Sequence, residues 1–473
     1  MSRPKRPRAA FAALAAAALL VPSPAAFAQA PAAGPAAQPL DPRPAPQPLQ
    51  GRFLLLSDIH FDPFADPAIV PQLIASRVEQ WPAIFRTSRQ SGPARAGADT
   101  NFPLLRSTLD QAGRAGPPYD FVLVTGDLLA HDFEASFARF GGTGRAALVA
   151  FVQKTATFVI QSVAREFPGA ALIPALGNND SDCGDYMLAP GSPLLAALAA
   201  QLPVLASDPQ AARDFAAGGN YALAHPWTPN HRILVLSNVF WSTRYQDACG
   251  AGSQDPGSAQ LAWLEWQLFL ARQRGQTASL VMHIPPGINP YGSTAAEPLP
   301  FWADRYRDRF LAIAGANASV LVAGYAGHTH MDDFRVISSA AEGPFLPIRI
   351  SPSVTPFFGN NPSFSVVGYD RGDGRMADYV SYALPGSGWR AQYRFSQAYG
   401  LQGYSAPNLT SLSRSILSGD PARARYSQYY ASGAPSPVTA QNFRLYACAQ
   451  TQMLPDGYSA CVGPEAPSPP PNE

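Results

Sequence analysis

Charge is scarce in this 473-residue chain. Asp, Glu, Lys and Arg make up only 14% of it, split as 34 basic against 33 acidic residues. That balance shows no basic excess of the kind that marks a nucleic-acid or acidic-membrane partner. Cysteine is also rare. The four cysteines include no Cys-x-x-Cys pair, which argues against a zinc ribbon or dithiol redox motif. None precedes Cys183, so a lipid-modified cysteine near the amino terminus is excluded. There is no internal repeat. Only seven histidines are present, few enough that their placement becomes informative.

Long apolar runs are nearly absent too. The unbroken one, 9–21, is shorter than the roughly 20 residues a membrane-spanning helix needs. It follows Arg3, Lys5, Arg6 and Arg8 and precedes Ala26-Phe27-Ala28, small residues at a cleavage position. Residues 1–28 therefore read as a signal peptide. No other stretch reads as long and apolar enough to span a bilayer, so the expected protein is exported, periplasmic or secreted, and carries no stable membrane anchor. Losing four basic residues and no acids leaves 30 basic against 33 acidic, a formal charge of −3. In an exported chain, four cysteines favour two disulfides over thiol chemistry. Three pairings exist; Cys183–Cys249 with the local pair Cys448–Cys461 is preferred.

What is abundant is apolar sequence, 47% of the chain, and proline, at 49 residues. The first suffices for a large core. The second points to long ordered loops rather than a helical bundle. Residues 29–50 form a Pro/Ala-rich linker. Beyond it, buried-strand patterns recur at 53–56, 121–124, 171–174, 233–236, 279–282 and 319–322. Helices are expected between them at 71–88, 103–113, 144–166, 258–274 and 303–314, with Ser258 capping the fourth and Gly275 ending it. Strand, helix, strand alternation predicts an α/β fold with buried sheets. After residue 332 strands dominate (334–337, 348–350, 364–369, 378–383, 391–395), followed by helices near 408–417 and 421–431 and a Pro-rich tail.

Five apolar runs end in residues suited to holding a metal ion. In Ser57-Asp58-Ile59-His60, positions i and i+2 of an extended segment share a side, so Asp58 and His60 can converge on one ion. Gly126 permits a sharp turn that leaves Asp127 at a strand tip, where one carboxylate can bridge two cations about 3.5–4 Å apart. Gly177-Asn178-Asn179-Asp180 offers a carboxamide oxygen. His283 ends the fourth run, and Gly327-His328-Thr329-His330 follows the fifth. Each block alone is compatible with an ordinary turn or a satisfied loop histidine. Together they carry weight, because open α/β sheets place ligand sites at the carboxyl ends of their strands. Five of the seven histidines fall in these blocks; His225 and His231 do not, and no role is assigned to them.

In this order (D-x-H, G-D, G-N-[HDN], H, G-H-x-H) the blocks resemble the calcineurin-like metallophosphoesterase superfamily from about 53 to 334. More narrowly, GDLLAHD at 126–132, HIPPG at 283–287, GHTH at 327–330 with Asp333 and Phe334 behind it, and the segment 351–369 are similar to the acid sphingomyelinase-like phosphodiesterase branch. The resemblance implies a four-layer α/β/β/α sandwich over 51–385 with a small C-terminal subdomain at 386–473. It implies two divalent ions, zinc by that branch, with manganese or iron also suited to a mixed imidazole and carboxylate set. Asp58, His60, Asp127 and His330 would hold one ion, and Asp127, Asn178, His283 and His328 the other. His131 would donate a proton to the leaving oxygen after attack by activated water on phosphorus. The sphingomyelinases carry His where this chain has Asn179. The string Gly-Asn-Asn-Asp is instead similar to endopolyphosphatase-like relatives, which makes Asn179 a substrate-orienting candidate. No saposin domain precedes Gly51, so a water-soluble phosphodiester, nucleotide or pyrophosphate is the expected substrate. An endopolyphosphatase or phosphomonoesterase is the alternative, and a non-enzymatic binding protein a lesser one. Asp333 is expected to be supporting or structural.

Overall fold

The computed structural model describes residues 50–249, 255–419 and 421–464. The expected signal peptide, most of the linker and the end of the Pro-rich tail lie outside the described residues. The strands in chain order are β1 (Gln50–Leu56), β2 (Phe121–Val124), β3 (Ala171–Pro174), β4 (Tyr221–Ala224), β5 (His231–Val235) and β6 (Thr277–Val281). They continue with β7 (Leu321–Ala326), β8 (Asp333–Ser339), β9 (Gly343–Ile350), β10 (Ser363–Asp370), β11 (Met376–Ala383) and β12 (Arg390–Arg394).

Two six-stranded sheets result, ordered β12-β11-β10-β1-β2-β3 and β4-β5-β6-β7-β9-β8. β1, β2 and β3 pair in parallel, as do β5, β6, β7 and β9. Strands such as Phe121–Val124 are buried at every position, because both faces of a central parallel strand are covered. The sheets face each other through aromatic side chains. Phe53 of β1 stacks on Phe121 at 4.5 Å and meets Tyr325 of β7 edge-on at 5.3 Å. Helices cover the outer faces: Phe102–Arg114 lies against β10, Pro256–Gln273 against β5 and β6, and Ala406–Ser418 against β8 and β9. This is the expected α/β/β/α sandwich.

Local differences from the sequence reading have local causes. The segment 71–88 is broken into Val70–Ala75 and Trp81–Phe85, each carrying a proline in its first turn. Pro82 has no N–H to donate and clashes inside a helix, so the chain must restart there. The helix expected from Ser258 begins at Pro256, because Asp255 rather than Ser258 is the cap and accepts the Ser258 N–H at 3.0 Å. β7 runs two to four residues later than the expected 319–322, because residues 317–320 turn back, with Val320 N–H donating to Asn317 O at 2.9 Å. One expectation is corrected. Arg145–Glu166, at 22 residues, is long and apolar enough to cross a membrane, but over half of its apolar window is buried inside the protein, as befits a core helix.

Beyond residue 385 the chain stays bound to both sheets. β12 pairs antiparallel with β11, so the expected division at 385/386 falls between two paired strands. The later helices grip the chain just after the last histidine. Tyr426 Oη donates to Asp333 Oδ1 at 3.0 Å, Gln450 Nε2 to the same oxygen at 3.1 Å, and Asp332 N–H to Tyr430 O at 2.8 Å. Asp333 also pairs with buried Arg335 at 2.8 Å, which makes it structural. Both preferred disulfides are formed, Cys183–Cys249 and Cys448–Cys461.

Candidate metal centre

The five blocks follow β1, β2, β3, β6 and β7 and meet where the carboxyl ends of the two parallel arrays converge. The backbone is forced into rare conformations to aim them. Asp58, His60, Asp127, His328 and His330 all adopt positive φ, between 43° and 71°. Non-glycine residues held this way cost of order 1–3 kcal/mol each, and such strain collects at functional sites. The glycines leave room. A Cβ on Gly177 would collide with the Asp127 carboxylate, and one on Gly327 with Ser57 and Asp58.

All seven predicted ligand residues come together, in two clusters that share Asp127. In the first, His60 Nε2 lies 3.1 Å from His330 Nε2, 3.3 Å from Asp127 Oδ2 and 4.0 Å from Asp58 Oδ1, while His330 Nε2 is 3.5 Å from Asp58 Oδ1. In the second, His283 Nε2 lies 3.1 Å from Asp127 Oδ2, 3.1 Å from Asn178 Oδ1 and 3.2 Å from His328 Nδ1. Groups of three drawn from these residues bring their donor atoms within 4.8 Å of one another.

The hydrogen bonds around the clusters show what they lack. His60 Nδ1 faces the Leu129 carbonyl at 3.0 Å and His283 Nδ1 the Thr125 carbonyl at 2.8 Å. Each Nδ1 therefore carries a proton, which turns each Nε2 toward the cluster, as a bare lone pair on neutral His60 and as a position for a proton or a cation on His283. Asn178 Nδ2 donates to Asp185 Oδ1 at 2.7 Å, which fixes its Oδ1 inward. His60 Nε2 thus aims a lone pair at Asp127 Oδ2 at 3.3 Å with no proton between them, and Asp127 Oδ2 and Asn178 Oδ1 both crowd His283 Nε2 at 3.1 Å. Such a convergence of acceptors calls for positive charge among them, a proton or a cation, and this donor chemistry fits a pair of divalent ions.

Titration follows the same field. Burial, together with nearby His131, lowers His60 to about 4, and burial lowers His328 to about 3. Burial pushes Asp58 up to about 7. Burial alone would raise Asp127 and lower His283, yet their mutual attraction wins: Asp127 is held well below the usual carboxylate range and His283 rises to about 9. A proton on His283 answers the negative field that a cation would otherwise meet.

His131 stands at the edge of the first cluster, its ring stacked on His60 at 3.9 Å and on Phe357 at 4.3 Å. Its Nδ1 lies 2.9 Å from Asp99 Oδ1, and its N–H donates to Asp99 Oδ2 at 2.8 Å. Burial opposes the charge on His131, but Asp99 prevails and raises its pKa. Asn179 is turned to Asp127: its N–H donates to Oδ1 at 2.8 Å and its Nδ2 to Oδ2 at 3.0 Å.

Three supporting residues were not singled out from the sequence. Asp99 sits in a loop that carries no signal. Asp180 closes the Gly-Asn-Asn-Asp string; its carboxylate accepts from Gly177, Leu128 and Leu129 N–H groups and locks two of the turns together. Asn238 Oδ1 accepts from the His283 and Ile284 N–H groups, both at 3.2 Å. The strand-end rule that found the five blocks applies equally to Asn238, three residues past β5.

Comparison with known proteins agrees with this geometry. Sphingomyelinase phosphodiesterase D of Dictyostelium discoideum is 24% identical over 430 residues, covering 82% of this chain and 91% of its own length. Acid sphingomyelinase-like phosphodiesterase 3b of Homo sapiens is 26% identical over 437 residues, covering 87% and 90%. Cyclic GMP-AMP phosphodiesterase SMPDL3A of Rattus norvegicus is 25% identical over 439 residues, covering 88% and 92%. The model of the calcineurin-like phosphoesterase family matches residues 51–332, more than half of the sequence. The chain therefore belongs to the calcineurin-like phosphoesterase family and is a phosphoric ester hydrolase.

Proposed function

We propose that the protein is an exported, dinuclear-metal phosphodiesterase that hydrolyses phosphodiester or pyrophosphate bonds of a water-soluble substrate. The observation that carries the reading is the pair of clusters sharing Asp127, in which imidazole, carboxylate and carboxamide ligand atoms converge to 3.1–3.3 Å. Asp58, His60, Asp127 and His330 would hold one ion, and Asp127, Asn178, His283 and His328 the other. Zinc suits the set best, with manganese or iron as alternatives. Bound there, the ions supply Lewis acidity and an activated water.

The chain's own groups do the rest. Asp127 presents one oxygen, Oδ2, to both clusters, and Asn179 fixes its rotation through both oxygens. His131, held by Asp99 with Nδ1 protonated, is the donor for the leaving oxygen, a role that contributes roughly 10²–10⁴ in rate. Two disulfides support an oxidising compartment, in line with an export signal at 1–28.

Replacing Asp127 with Asn should abolish turnover of a bis-aryl phosphate and lower the bound metal below two ions per chain. Retention of the wild-type rate would overturn the shared-carboxylate assignment. The Gly-Asn-Asn-Asp string favours one second reading, an endopolyphosphatase or phosphomonoesterase at the same site. A panel of bis-aryl phosphate, aryl phosphate and polyphosphate, run with zinc, manganese and iron, separates the two. Exclusive monoester cleavage would reject the first.

A further inference from the structure

Next to the second cluster lies a cationic feature that the proposed chemistry does not use. Tyr186 Oη is 3.4 Å from His328 Nε2, and the Arg244 guanidinium lies 4.4 Å from the centre of the Tyr186 ring. Arg244 is 70% exposed, and its approach to Asp185 Oδ2 is a long 3.8 Å. The other Asp185 oxygen is taken by Asn178. The guanidinium is therefore not closed off by a short ion pair, and its charge joins burial in lowering the pKa of His328.

This placement is built. Gln246 N–H donates to Tyr186 O at 3.0 Å, and Tyr245 Oη to Leu188 O at 3.2 Å. Cys183–Cys249 ties the same two segments together. Tyr186 itself is held at a φ of +57° while its N–H donates to Asn178 O at 2.9 Å. An exposed arginine needs no such anchoring for solubility alone.

The opposite wall differs in kind. Phe357 stacks on His131, and Phe358, half exposed, meets His330 edge-on at 4.7 Å. A leaving group near the proton donor therefore meets aromatic carbon, whereas the group on the His328 side meets a guanidinium and a phenol. A simple diester carries one negative charge. A neighbouring phosphate adds charge that planar, bidentate guanidinium donors fit well.

We infer that Arg244 and Tyr186 form a subsite for a second phosphoryl group, so that the enzyme prefers phosphoanhydrides, substrates whose scissile phosphorus carries a neighbouring phosphate. The inference rests on the phosphoesterase reading above and names its substrate class.

The test uses the full metal-loaded protein with Arg244→Gln and Arg244→Lys. Calorimetry compares methylenediphosphonate, which cannot be hydrolysed, with methylphosphonate. Kinetics compare ATP with bis(4-nitrophenyl) phosphate. The Gln substitution should lower the diphosphonate-to-monophosphonate affinity ratio, and the ATP-to-diester ratio of kcat/KM, about tenfold or more, with Lys retaining part of each. Unchanged ratios, or equal losses on both members of each pair, would overturn the subsite. If the wild type hydrolysed no phosphoester at all, the proposed function would fail, and the phosphonate comparison would still decide the role of Arg244.

Discussion

Buried histidines lie beside the two ends of β6 in opposite chemical circumstances. At its start, His231 Nδ1 lies 2.7 Å from Thr277 Oγ1 and Nε2 lies 2.8 Å from Ser279 Oγ. Beside it, His225 Nδ1 accepts the N–H groups of Trp227 and Thr228, both at 3.1 Å. Hydroxyls can donate or accept, so every ring nitrogen there that is hydrogen-bonded meets a group able to complement it. Past the other end, His283 Nε2 faces a carboxylate, a carboxamide oxygen and another imidazole. Both ends are buried and both are rich in imidazole. Burial therefore does not distinguish a binding centre from a packed core; the convergence of several ligand atoms on one nitrogen does.

The largest expected effect follows from swapping the same substitution between the ends. His283→Ala should cost at least a hundredfold in kcat, in the range seen when one electrostatic stabiliser is removed, and should empty one ion site. His231→Ala should keep both ions and the rate, and should lower stability by about 1–3 kcal/mol through orphaned hydroxyls and a cavity. Metal analysis and denaturant unfolding of both variants check this. Loss of metal from His231→Ala would erase the contrast.

A smaller effect concerns competition between protons and cations. In the metal-free protein Asp127 raises His283 to about 9, so this imidazole is protonated through neutral pH. Loading the centre must displace that proton. Apparent ion affinity should therefore rise with pH by up to about tenfold per unit between 7 and 9, more steeply below 7 where Asp58 is protonated as well, and level off above pH 9. Calorimetry in two buffers of different ionisation enthalpy would count the released proton. A pH-independent affinity would mean that His283 does not meet the ion.

Much of this centre was legible because its parts are local. Asp58, His60, Asp127, Asn178, His283, His328 and His330 each sit within a few residues of an apolar run, and a strand end is readable from one segment. The sandwich was legible for the same reason: runs such as 121–124 and 171–174 match β2 and β3 residue for residue. What escaped depends on distant segments. Asp99 acts on His131 across 32 residues of chain, and Arg244 reaches Tyr186 only because two loops are tied together. Helices such as Pro193–Ala199 and Pro209–Gly218 went unread between β3 and β4. Asn179 shows the converse. Its type and position suggested substrate contact, and its carboxamide also donates one hydrogen bond to Asp127, which no single segment could show.

The smallest effect tests the quiet end. Burial lowers His231 to about 3 and His225 to about 4, against 6.5 when exposed. The folded state then binds fewer protons than the unfolded state between these values, so these groups contribute stability that is present above pH 6.5 and lost as pH falls toward 3. The other buried histidines, such as His60 and His328, titrate in the same direction in metal-free protein. A bare acid-unfolding curve therefore cannot assign the effect, but a difference between two proteins can. His231→Gln keeps a polar side chain near Thr277 and Ser279 without a titrating group, and the remaining histidines cancel in the subtraction. Urea unfolding of metal-free wild type and variant from pH 7 to pH 4 should give a slope of stability against pH that is shallower in the variant, by at most one proton or about 1.4 kcal/mol per pH unit. Parallel slopes would mean that His231 is not held neutral by the fold, and the contrast between the two ends would then rest on the metal site alone.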